Sequence, residues 1–77
     1  MQRVRVFLKT DLFAVGGDLR VVPDGTSIVD GQLGEQSTGG LVIQVETWRK
    51  GDGKAMSGPP ARLLLPTAKI DYMLFLD

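Results

Sequence analysis

The chain contains neither cysteine nor histidine. Without cysteine no disulfide can brace the fold, and thiolate nucleophiles and thiolate metal ligands are excluded. Without histidine, the usual proton shuttle near neutral pH and the commonest neutral metal ligand are missing as well. Net charge is lacking too. Nine basic and nine acidic side chains cancel, so no whole-molecule field draws the chain to nucleic acid. No apolar run approaches the ~20 residues needed to cross a bilayer, and the apolar stretch at Met1-Gln2-Arg3-Val4-Arg5 is too short and too charged for a signal peptide. These absences predict a cytoplasmic protein without a membrane partner and without a cofactor.

What remains is 77 residues, enough for one small domain spanning 1–77. Domains of this size commonly need disulfides, a metal or oligomerisation as support. With disulfides closed off, self-association is the expected route.

The pattern is that of an all-β chain. Val4, Val6 and Leu8 alternate with Arg3, Arg5 and Lys9, as in a half-buried strand, with Phe7 among the polar set. From Leu12 to Val22 the residues Phe13, Val15, Leu19 and Val21 form a second apolar row, interrupted by Gly16-Gly17. Paired glycines inside a strand predict a bulge or sharp bend. Pro23-Asp24-Gly25 carries turn chemistry. Ser27 is placed to cap a short helical turn with Asp30 returning a bond, and Gly34 to Gly40 reads as a mobile loop. Leu41 to Lys50 is the strongest strand signal, with Leu41, Ile43 and Val45 facing inward and Trp48 outward. Gly51-Asp52-Gly53 turns it, Ala61 to Leu65 returns, and Ile70 to Asp77 closes the chain.

That last stretch is the most telling. Ile70, Tyr72, Leu74 and Leu76 fill one face, yet Met73 and Phe75 place large apolar groups on the other. A chain this short can seldom cover both faces of a strand, so the second is expected to meet another copy. Leu64, Tyr72, Met73 and Phe75 are the predicted oligomer interface.

Five strands, a bent second one and a helical turn within 23–40 describe a small barrel of the SH3 or OB type. The order resembles the Sm-like barrel in particular. The matching pieces are Val4-Arg5-Val6-Phe7-Leu8-Lys9-Thr10-Asp11, Gly17-Asp18-Leu19 and Leu63-Leu64-Leu65-Pro66-Thr67-Ala68-Lys69-Ile70. The resemblance implies a ring in which the last two strands pair across subunits. The Sm-type RNA pocket is not implied, because the chain has no asparagine and Pro66-Thr67 stands where that family carries Arg-Gly.

Candidate chemistry is sparse. Ser27, Ser37 and Ser57 lie in turn-rich surroundings, with only Lys54 or Lys69 to activate them. Asp24, Asp30 and Glu35 offer hard oxygen ligands, but their spacing matches no calcium loop. Gly51-Asp52-Gly53-Lys54 lacks the upstream glycine and following Ser/Thr of a phosphate loop. No enzyme is expected. The one sharp constellation is Trp48, Arg49 and Lys50 with Lys54 and Arg62 nearby, an indole beside four cations. It fits an indole covering an open end of the barrel with solvated charges around it, an anchor for a protein partner, or an aromatic platform for RNA or single-stranded nucleic acid. The favoured reading is a homo-oligomeric interaction module; the nucleic-acid-binding barrel is its alternative.

Overall fold

A computed structural model of the chain describes residues 2–12 and 22–76. Its strands are β1 (Arg3–Leu12), β2 (Thr26–Ser37), β3 (Gly40–Arg49), β4 (Ala55–Met56), β5 (Ala61–Pro66) and β6 (Ile70–Phe75). A 3-10 turn, Thr67–Lys69, joins the last two. All pairings are antiparallel. The order is β4-β3-β2-β1-β6, with β5 also on β3. Since β2 runs along one side of β3, β4 and β5 share the other, β5 against 40–45 and β4 against 48–49. Among the described residues the sheet is open rather than closed into a barrel. β5 and β6 are joined through one short turn, yet they are hydrogen-bonded to opposite sides of the sheet.

β2 corrects the expected helical turn and mobile loop. Thr26, Ile28 and Val29 are β-branched and favour a pleated surface, and Val29 and Ile28 pair with Val6 and Phe7 of β1. Asp30 bonds arginines across the strands rather than capping a helix. The expected bent strand over Leu12 to Val22, including Gly16-Gly17 and Gly17-Asp18-Leu19, falls almost wholly outside the described residues.

Glycine inside β2 has a reason. A methyl group on Gly31 would fall onto the backbone carbonyl of Gln44 in the neighbouring strand. Gly31→Ala therefore has to push two paired strands apart. It should lower stability by about 1–3 kcal/mol, read as a shift in the urea midpoint. An unchanged midpoint would mean the strands are not that close.

The core lies on one face of the sheet and comprises Val4, Val6, Leu8, Val29, Ile43, Val45, Trp48 and Leu65. Leu33, Leu63, Ile70 and Met73 pack against it, partly buried. Of the register shifts in the sheet, two bear most on which side chains reach this core. Asp30 pairs with Thr47 while Gly31 pairs with Val45, so Glu46 is an extra residue in β3. Likewise Phe7 pairs with Tyr72 while Leu8 pairs with Ile70, which makes Asp71 the extra residue in β6. Each insertion resets the two-residue alternation and moves every later side chain to the opposite face.

Candidate functional site

The Glu46 bulge has its largest consequence at Trp48. Strict alternation from Ile43 and Val45 would point the indole outward; with the extra residue it joins them in the core, with no exposed surface. Its Nε1–H donates to the Pro59 carbonyl at 2.9 Å. The segment before Pro59 lies directly on the ring, since a Cβ on Gly58 would sit 2.9 Å from Trp48 Cδ1 and 2.7 Å from Pro23 Cγ. The predicted outward Trp48 is thus overturned, and no indole is presented to a base.

Of the cations in that predicted patch, Arg49, Lys50 and Lys54 meet at the β3–β4 turn and Arg62 lies apart. Arg49 donates from Nε to Asp30 at 2.8 Å and from Nη1 to the Gly53 carbonyl at 2.9 Å. Lys50 and Lys54 form the β3–β4 turn through their backbones, the Lys50 N–H donating to the Lys54 carbonyl at 2.9 Å. Arg62 lies opposite Gln44, whereas Ala55, next to Lys54, lies opposite Arg49. Five residues of strand separate those positions, roughly 15 Å. Sequence proximity was misleading here.

On the face away from the core, a cluster unforeseen in the sequence holds β1, β2 and β3 together. Arg5 grips Asp30 through two bonds, Nε to Oδ1 at 2.7 Å and Nη2 to Oδ2 at 2.9 Å. Arg49 reaches the same carboxylate from the other side. Asp30 is buried while both arginines stay partly open to solvent. Burial alone would raise the Asp30 pKa, but hydrogen bonds from Arg5 and Arg49, with their charges, outweigh it and hold the carboxyl below its usual range. The same bond raises the already high pKa of Arg5. The signal for this cluster is the polar row Arg3 and Arg5, which needs an acid on the adjacent strand; Asp30 supplies it and does not cap a helix. Asp24, Asp30 and Glu35 do not come together, and no group of three or more acidic side chains gathers among the described residues.

Next to that cluster Phe7 and Tyr72 stack with centroids 4.4 Å apart and planes 15° from parallel. Tyr72 and Leu74 stand opposite Phe7 and Arg5. They therefore occupy the outer face, while Ile70 and Met73 turn to the core. This reverses the face assignment expected for the last strand, because the Asp71 bulge falls between Ile70 and Tyr72. The apolar excess persists. Tyr72, Leu74, Phe75 and Leu76 are all exposed, Tyr72 by 52% and Phe75 by 55%. Leu64 on β5 is exposed by 56%. Of the predicted interface residues, Leu64, Tyr72 and Phe75 are thus at the surface and Met73 is half-buried against the core.

Among the described residues β6 pairs only with β1 and β5 only with β3, so within that set each has one side without a strand. Among the described residues no helix is long and apolar enough to cross a membrane. No protein family, characterised protein or solved structure matches the chain.

Proposed function

We propose that the protein is a homo-oligomeric interaction module that self-associates through β6. The observation carrying this reading is that Tyr72, Leu74 and Leu76 on the outer face and Phe75 on the other are exposed along a strand whose second side meets no other described strand. Contiguous apolar patches on soluble monomers are usually small unless they bind something. An open strand edge beside such a patch is a template for another chain. A rolled sheet of the small-barrel kind, Sm-like or SH3-like, underlies the module in this reading. In support are the meander order, the return of β6 to β1 and the 3-10 turn between the last two strands. The module works by binding rather than catalysis. The nucleic-acid alternative loses its motive with Trp48 in the core.

Sedimentation of the purified chain tests the proposal. At tens of micromolar it should exceed the monomer mass, and Phe75→Glu should return it to monomer or drive it to aggregate. A wild-type chain that remains monomeric throughout that range would overturn the reading.

A further inference from the structure

The two exposed edge strands are not equivalent, and their hydrogen-bond directions can be worked out. The Leu76 N–H donates to the Arg3 carbonyl at 2.9 Å. Leu76 and Arg3 therefore form a bonded pair of the antiparallel ladder, and bonded pairs alternate with unbonded ones. The register then makes Leu74 with Arg5, and Tyr72 with Phe7, the bonded pairs within β6. Met73 and Phe75 are left with N–H and C=O groups directed away from β1, along the open edge. On β5 the Thr67 N–H donates to the Gly39 carbonyl at 3.0 Å. By the same alternation Leu65 and Leu63 bond β3, while Pro66, Leu64 and Arg62 face outward.

The β5 edge is guarded. Pro66 has no N–H to offer at its outward position, Arg62 adds a charge, and Pro59-Pro60 precede the strand. Proline and charge are the ordinary devices that stop an edge from pairing. The β6 edge from Tyr72 to Leu76 has neither proline nor charge, and it lies beyond the bulge at Asp71. It is open, regular and apolar.

It is also complementary to itself. Outward groups must meet outward groups, so an antiparallel pair of two β6 strands needs its two-fold axis at a residue position and not between residues. Centred on Leu74, Met73 of one copy faces Phe75 of the other, each pair exchanging two bonds. Leu74 then faces Leu74, and Tyr72 faces Leu76, all on the outer face. No like charges oppose each other within the paired stretch. We infer that the partner of β6 is a second copy of this chain, joined antiparallel about a two-fold axis at Leu74 into one continuous sheet.

This inference rests on the proposed self-association but differs from a head-to-tail arrangement of β5 on β6. Aromatic side chains bury roughly 150–250 Å² each, so covering the exposed parts of Tyr72, Leu74, Phe75 and Leu76 in both copies gives roughly 600–950 Å². That is the range of a weak, transient association. The dimer is expected to form reversibly in the micromolar range.

The absence of native cysteine makes cross-linking clean. Leu74→Cys places a thiol on an exposed position, and across the two-fold it meets its own copy in an unbonded pair with Cα atoms about 4.5 Å apart, within disulfide reach. Under mild oxidation this variant should become covalent dimer at least tenfold faster than Thr38→Cys, which sits exposed in the β2–β3 turn. Tyr72→Cys mixed with Leu76→Cys should cross-link, while each alone should not. If Leu74→Cys links only when mixed with Leu64→Cys, the two-fold arrangement falls and head-to-tail self-association stands. If the protein self-associates but none of these pairs links, the register falls. If it sediments as a monomer and no pair exceeds the Thr38→Cys rate, both the inference and the self-association beneath it fall.

Discussion

Trp48→Ala should come close to unfolding the protein. Removing a fully buried tryptophan typically costs about 3–5 kcal/mol, and a domain of 77 residues has roughly 4–12 kcal/mol in total. Two further losses arise at this site. The Pro59 carbonyl loses its donor at 2.9 Å, and Gly58 and Pro23 lose the ring they rest against. For a domain this small each kcal/mol shifts the melting temperature by about 4–8 °C, so a fall of more than 12 °C is expected by calorimetry. Since Trp48 is the chain's single tryptophan, its fluorescence offers a second reading. Iodide should scarcely quench it in the folded state. A variant that melts within a few degrees of the wild type, or an indole readily quenched, would place Trp48 at the surface after all.

Asp30→Asn should cost about 3 kcal/mol, because it leaves two guanidinium groups beside one another with their shared anion gone. The pH dependence has a definite sign. The Asp30 carboxyl is held below its usual range, so its folded pKa lies under the unfolded value of about 3.9. Its contribution is complete above that unfolded value and fades as the pH falls through the folded one. Wild-type stability should decline in acid, and the gap between wild type and Asp30→Asn should narrow there. Replacing Arg5, Asp30 and Arg49 together with apolar residues of similar size should cost less than Asp30→Asn alone, since no unpaired charge is left. Denaturant titrations at pH 7 and pH 3 check both statements. An Asp30→Asn deficit of under 1 kcal/mol, or one that is the same at both pH values, would refute the account.

How much of this could be read from the residues depends on where alternation holds. β1 is regular from Arg3 to Phe7, and Val4 and Val6 reach the core as the alternation predicts. Gly40–Arg49 and Ala61–Pro66 lie where apolar rows and flanking turns place them. The failures come where one residue is inserted. Nothing about Glu46 or Asp71 marks either as a bulge, because the extra residue is defined by the partner strand, and a partner's register is not written locally. Once inserted, Glu46 carries Trp48 from surface to core, and with it the supposed ligand patch. Asp71 does the same to Tyr72 and Met73. β2 was missed for a different reason. Its glycines read as loop chemistry, although Gly31 is needed for close backbone approach. The β-branched run Thr26, Ile28 and Val29 was the signal that argued otherwise.

The bond from Leu76 to Arg3 has a consequence for the order of events during synthesis. Of the described strands β1 is made first and β6, which lies along its other side, last. Until β6 is made, β2 is the only described strand that can pair with Val4 and Val6. The pairing that completes the sheet spans nearly the whole chain, and contacts so distant in sequence are slow to form because loop closure must precede any gain from them. The sheet therefore stays incomplete until β6 has been made, and closing it is expected to be among the slower steps of folding.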